Sequence, residues 1–133
     1  MRLNSVFSRI GVVLALGLAF TAPLAAADAP KASTKWRLLF DHWADTDGEL
    51  VLHIAPVQGD PIDVTVKIPK GTTENSAAEL VAGSLKGSLG GGYKVDVDDG
   101  EKVVIKSKGK TPKFVVSMPS STATGLNVKI KRS

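Results

Sequence analysis

The stretch IDVTVKIPKGTTENSAAELVAGSLKGSLGGG, residues 62–92, decides the fold class of this chain. Residues 62–68 alternate strictly between apolar and polar side chains, which is typical of a β-strand with one buried face and one wet face. The apolar face of this strand carries Ile62, Val64, Val66 and Ile68. Pro69 and Gly71 then end the strand, because neither residue suits the interior of a sheet.

The second half of this stretch predicts a single helix. Ser76 and Glu79 have the spacing of a capping box, and a start one turn earlier at Thr72 or Thr73 fits the sequence equally well. The residues that share the apolar side at helical spacing are Ala77, Leu80, Val81 and Leu85. The glycines at 90–92 end the helix, because glycine readily adopts the left-handed conformation found at helix C-termini.

Strand patterns lie on both sides of this unit. Before it, they cover residues 36–43 and 50–55, which are joined by the acidic turn DTDGE at 45–49. After it, they cover residues 93–97, 102–106, 113–118 and 126–131, with a loop at 119–125. The Asp-Gly pairs in DTDGE and in residues 98–101 predict tight hairpin turns, since glycine supplies a positive φ.

The order of these elements predicts the fold class. Strands and helices do not alternate regularly, so nothing in the pattern demands a parallel sheet. We therefore expect an α+β fold in which an antiparallel or mixed β-sheet of about six to seven strands carries a single helix packed on one face.

The N-terminus has the features of a cleavable secretory signal peptide. Arg2 and Arg9 give it a positive start, residues 10–20 are apolar without a charge, and the small residues that follow predict cleavage after Ala27. An uncleaved membrane anchor is the alternative, but it needs about 20 apolar residues to cross the hydrocarbon core. We therefore predict that the mature protein works in the periplasm or outside the cell.

Three segments follow from this interpretation. Residues 1–27 form the signal peptide, residues 28–35 a flexible mature N-terminus, and residues 36–133 a single small α+β domain. No transmembrane segment remains once the signal peptide is removed.

Composition excludes several kinds of chemistry. The chain has no cysteine, so it forms no disulfide, has no thiolate nucleophile and carries no lipid-modified cysteine. Its charge is uneven, with 12 acidic and 7 basic residues at 28–100 but one acidic and 8 basic residues at 101–133. This split predicts a basic surface on the last strands. The only aromatic residue among those bases is Phe114, whose register points inward, so the pattern does not indicate nucleic acid.

The sequence does not indicate an enzyme or a cofactor. The acidic turn at residues 41–49 lacks the spacing of a calcium loop. His42 and His53 have neither the spacing of zinc ligands nor a nucleophile motif. Asp41 beside His42 is not expected to form a dyad, because neighbours on a strand point to opposite faces. A metal-dependent hydrolase is therefore the least favoured class, and we expect no metal site.

The candidate ligand-binding residues are basic or aromatic. Trp43 either stacks on a ligand from the open sheet face or packs beneath the Asp45 turn, and the second interpretation is favoured because tryptophan is mostly buried. The basic candidates for that face are Arg37, Lys106, Lys129 and Lys131. Alternating lysines are also typical of the solvated face of a sheet, where they prevent edge-to-edge aggregation.

These observations favour a small exported binding domain without enzymatic activity. Its expected partner is an anionic polysaccharide, a lipid headgroup or an envelope protein, bound through the basic sheet face. The alternative is a structural or assembly module of the cell envelope that pairs an exposed strand with another protein.

Overall fold

A computed structural model describes residues 31–133. The predicted signal peptide and its cleavage site after Ala27 lie outside the described residues. The elements in chain order are β1 (Lys35–Asp41), β2 (Gly48–Pro56), β3 (Ile62–Ile68), α1 (Glu74–Leu89), a 3₁₀ turn (Gly90–Gly92), β4 (Tyr93–Asp98), β5 (Lys102–Ser107), β6 (Phe114–Ser121) and β7 (Asn127–Arg132). The predicted α+β class, with seven strands and one helix in this part of the chain, is confirmed. No helix within this range is long and apolar enough to cross a membrane.

The strands form two antiparallel sheets, whereas the sequence predicted one. The larger sheet has the strand order β4-β5-β1-β7, and the smaller sheet has the order β3-β2-β6. All pairings within them are antiparallel. Strands β1 and β2 follow each other in the chain, but they belong to different sheets and do not pair with each other.

The crossing between the sheets occurs at residues 42–47, where a hairpin was predicted. His42 has a φ of 63°, which ends the strand geometry of β1. The backbone then bonds to two other loops, because Ala44 N donates to Thr72 O at 2.9 Å and Asp45 N donates to Thr124 O at 2.7 Å. The predicted hairpin is therefore wrong, and the segment leads the chain into the second sheet.

The two Asp-Gly pairs have different roles. Asp99 and Gly100 have φ values of 54° and 76°, and this pair of positive φ angles makes the tight turn predicted between β4 and β5. Gly48 is not among the residues with positive φ. Its lack of a side chain serves a close approach instead, because a Cβ there would overlap the backbone of Thr122 and Ala123.

Both sheets and the helix share one hydrophobic core. The inward residues of β1 are Trp36, Leu38 and Phe40. A direct hydrogen bond joins the sheets, since Trp36 Nε1 donates to Phe114 O at 2.7 Å. The same carbonyl accepts from Ser33 N at 2.9 Å, so the predicted N-terminal segment 28–35 is attached to β6 at Ser33.

The helix starts at the earlier of the predicted positions. Thr73 is the N-cap, and its side chain accepts a hydrogen bond from Ser76 N. The buried residues of α1 are Ala77, Ala78, Val81, Ala82, Leu85 and Leu89. Leu80 was predicted on the apolar side, but it is 41 % exposed. Three alanines occupy the buried side, which brings the helix close to strands β3, β4, β1 and β5.

Strand β6 continues into the segment predicted as a loop at residues 119–125. Its pairing with β2 shifts between Val51 and His53, where Met118 and Pro119 lie opposite Leu52 as a β-bulge. Proline is tolerated there because β6 pairs with only one strand of its sheet, and a bulge removes the need for its N–H.

Candidate functional site

The outer face of the larger sheet collects most of the predicted site residues. Its cross-strand rows follow from the register of the three strand pairs. The first row places Lys94, Lys106 and Lys35 side by side on β4, β5 and β1. We call the basic residues of this surface the basic face; they are Lys35, Arg37, Lys94, Lys102, Lys106, Lys129 and Lys131.

The next two rows are basic at one end and acidic at the other. The second runs Asp96, Val104, Arg37 and Lys131 across the sheet. The third runs Asp98, Lys102, Leu39 and Lys129. The sheet therefore brings together four of the five predicted ligand-binding residues, and it also places an acidic edge on β4 opposite a basic edge on β7.

Few of the bases on this face have acidic partners. Lys94 Nζ lies 3.8 Å from the Asp96 carboxylate, and Lys102 Nζ lies 3.4 Å from the Asp99 carboxylate. Lys35 and Lys106 form no salt bridge with any described residue. Like charges directly opposite each other on neighbouring strands are destabilising, so the facing pair Lys35 and Lys106 retains unbalanced positive potential.

Arg37, in the next row, adds another positive charge that has no acidic residue directly opposite it. It lies opposite Lys131 on β7 and opposite Val104 on β5. Its Nε atom is buried and has no hydrogen-bond partner among the described residues. Because this atom is buried, an anion on the outer face would meet the positive charge of the guanidinium and not this donor. A shallow depression on the adjacent surface is lined by both signs of charge: Lys35 and Lys106 on one side, Asp96 and Asp98 on the other.

Trp43 lies apart from the lysine row. It is 59 % exposed, so the interpretation that it packs beneath the Asp45 turn is wrong. Ala44 takes the buried position instead, because His42 turns the chain just before it. Lys35 is the first residue of β1, whereas Trp43 lies two residues beyond its last residue, Asp41, and the strand alone spans about 20 Å by its rise per residue. A single small ligand therefore cannot contact both Trp43 and Lys106.

The two histidines lie at separate places. His53 on β2 lies opposite Asp63 on β3, and its Nδ1 is 2.5 Å from the Asp63 carboxylate. His42 Nε2 is 3.7 Å from the Asp41 carboxylate, with both side chains largely exposed. The reason given from sequence against an Asp41 and His42 contact was wrong, since His42 no longer has strand geometry. No group of three or more potential metal-ligating residues occurs within residues 31–133.

Tyr93 is a partly buried ionisable residue at the start of β4. Burial raises the pKa of its hydroxyl above the ordinary value of 10.0. Its ring packs edge-on against Phe114, with the ring centroids 5.1 Å apart. This shift belongs to the core between the two sheets and does not reach the basic face.

Comparison with known proteins supplies no functional assignment: no protein-family model and no curated sequence matches this chain.

Part of the basic face could be predicted from the sequence, because the alternation of β1 and β7 places Arg37, Lys129 and Lys131 outward. Lys35 and Lys94 were missed, since only the register of β4 on β5 and of β5 on β1 reveals the row.

Proposed function

We propose that this chain is an exported domain without enzymatic activity that binds repeated anionic groups of the cell envelope through its basic face. The observation that supports this proposal is the row Lys94, Lys106 and Lys35, in which three like charges face each other across adjacent strands. Arg37 and Lys131, which lie opposite each other in the next row, add two further positive charges. The signal-like N-terminus supports export.

The shape of the face favours a flat anionic surface or polymer over an enclosed small ligand. The basic side chains project from a sheet and not into a deep cavity. Each lysine or arginine near an anionic surface contributes about 1 kcal/mol. Phosphate, carboxylate and sulfate groups share the chemistry that this face recognises, so the source is distinguished by experiment.

The test replaces two central lysines of the row. Lys35→Glu with Lys106→Glu removes two positive charges without touching the strands at the sheet edges. We expect at least about 30-fold weaker binding, since two lost contributions of about 1 kcal/mol each already give that factor. The matched control is Lys110→Glu with Lys113→Glu, which makes the same charge change in the exposed loop before β6.

Binding is measured by co-sedimentation with two probes. Vesicles containing phosphatidylglycerol, compared with neutral phosphatidylcholine vesicles, report on lipid headgroups, and alginate beads report on an acidic polysaccharide. Binding by the unaltered protein should weaken steeply with salt, because exposed charges are screened. If both double variants lose the same affinity, net charge alone explains binding and the basic face is refuted. Circular dichroism confirms that each variant is folded.

Export is tested separately by the mass of the intact protein recovered from the cell envelope. We expect a chain that begins at Asp28, the residue after the predicted cleavage site. Recovery from the cytosol with Met1 or the full leader still attached would contradict the proposed location.

A further inference from the structure

The larger sheet has two free edges of opposite charge. Among residues 31–133, β4 pairs only with β5 and β7 pairs only with β1. Every second residue of such an edge strand directs its backbone N–H and C=O away from its one partner, where they can pair with another strand. On the outer face, β4 presents Asp96 and Asp98 together with Lys94, whereas β7 presents Lys129 and Lys131.

We infer that copies of this chain associate head to tail, with β7 of one copy pairing with β4 of the next to extend the larger sheet. Within the sheet β4 is antiparallel to β7, because three antiparallel pairings separate them. Two copies in the same orientation therefore meet through an antiparallel joint. This use of a free edge goes beyond the binding of anions by the basic face.

The register of the rows matches the charges at this joint. The second row places Lys131 beside Asp96 of the next copy, and the third row places Lys129 beside Asp98 of the next copy. Opposite charges at directly facing positions stabilise a sheet. The sheet has an even number of strands, four, so hydrogen-bonded and non-hydrogen-bonded pairs continue to alternate across the joint.

The inner face of the joint is complementary as well. Val97 of β4 is 38 % exposed although its side chain points toward the core side of the sheet. The row that contains it runs through Val103 and Leu38 to Ile130 of β7, which is only partly buried. Head-to-tail pairing places Ile130 against Val97 of the next copy and covers both apolar side chains.

Charge disfavours one of the two competing symmetric pairings. Two copies of β7 would bring Lys129 and Lys131 together, and like charges directly opposite are destabilising. Two copies of β4 centred on Val95 would instead place Lys94 opposite Asp96, and that closed pairing would appear as a plateau at dimer. A head-to-tail joint is heterologous and leaves a free edge at each end. We therefore expect an open series of oligomers in which the mass rises with protein concentration.

The first test is charge reversal at each edge, measured by sedimentation velocity on the protein in the form recovered from cells. Asp96→Lys with Asp98→Lys makes both edges basic, and Lys129→Asp with Lys131→Asp makes both edges acidic. We expect each variant alone to associate at least tenfold more weakly than the unaltered protein, and an equimolar mixture to regain association. The control Lys110→Asp with Lys113→Asp should associate normally.

A second test uses the absence of cysteine from the chain. A Val97→Cys and Ile130→Cys variant carries one thiol on each edge, and these thiols cannot meet within one copy because two strands separate β4 from β7. Mild oxidation should give a ladder of disulfide-linked oligomers. Val97→Cys with Val128→Cys, two residues out of register, should give much less. Three results would overturn the inference. The protein could remain monomeric at all concentrations, its mass could reach a plateau at dimer, or the two cysteine variants could cross-link equally.

These outcomes are distinguishable from those of the anion-binding proposal. The Lys35→Glu and Lys106→Glu variant should still associate, because both positions lie on central strands. The Asp96→Lys and Asp98→Lys variant should lose association, while each copy retains its affinity for a small soluble anion, inorganic phosphate, which can occupy only one copy at a time. Loss of both properties in either variant would contradict the separation of the two surfaces.

Discussion

Replacing Trp36 by phenylalanine tests whether the two sheets are held together as the structure indicates. Trp36 is 4 % exposed on β1, and its Nε1 donates at 2.7 Å to Phe114 O at the start of β6. The variant loses one buried hydrogen bond, which costs about 1 kcal/mol. The smaller ring also leaves a void of roughly 40 Å³, worth about 1 kcal/mol at ~24 cal/mol per Å³.

The expected loss in the free energy of unfolding is therefore about 2 kcal/mol. It is no larger because Phe114 O still accepts from Ser33 N at 2.9 Å and is not left without a partner. The assay is urea denaturation followed by far-ultraviolet circular dichroism, which does not depend on tryptophan fluorescence.

Trp43→Phe provides the matched control for this experiment. Trp43 is 59 % exposed, so its replacement should change stability by no more than about 0.5 kcal/mol. The role assigned to the hydrogen bond between the sheets would be refuted by either of two results. The free energy of unfolding of Trp36→Phe could lie within about 0.5 kcal/mol of that of the unaltered protein, or both variants could lose the same free energy of unfolding.

Two further predictions concern the core and the loops. Gly48→Ala should destabilise the protein by about 3 kcal/mol, because the new Cβ overlaps the backbone of Thr122. Gly83→Ala, on the open side of α1, should instead stabilise the protein by about 0.5–1 kcal/mol. Thermal melting measures both variants, and equal melting temperatures would contradict the close approach at Gly48. Burial raises the pKa of Tyr93, so the folded chain holds the phenolic proton more tightly than the unfolded chain, and the free energy of unfolding should fall as pH rises above about 10. Denaturation at pH 8 to 11 should show a smaller fall for Tyr93→Phe, and an identical profile would contradict this assignment.

Local patterns predicted the elements well because each depends on neighbouring residues. The alternation at 62–68 became β3, and the Asp99 and Gly100 turn has the positive φ values that a tight hairpin needs. The division into two sheets was not accessible, because it depends on contacts between distant segments. Ala44 and Asp45 bond to Thr72 and Thr124, which no local pattern at 41–49 reveals.

The candidate site was partly predictable for the same reason. Alternation alone places Arg37, Lys129 and Lys131 on an outer face, but their neighbours depend on the strand order. Strand β5 brings Lys106 between Lys94 and Lys35, and this order differs from the order in the chain. Packing of Trp43 beneath the Asp45 turn was favoured from its residue type, whereas the structure leaves Trp43 59 % exposed, just after the positive φ of 63° at His42.

The proposed assembly and the proposed binding surface act in the same direction. The joint would use Lys129 and Lys131 and would neutralise Asp96 and Asp98, the carboxylates that oppose an anion on this face. The row Lys94, Lys106 and Lys35 lies outside those contacts and would recur once per copy, about every 19 Å for four strands at ~4.8 Å spacing. A periodic series of weak anion sites on one extended sheet binds a repeating anionic surface far more tightly than one copy can, because later contacts form at high effective concentration. Association through the edges would thereby convert a modest basic patch into an effective envelope-binding surface.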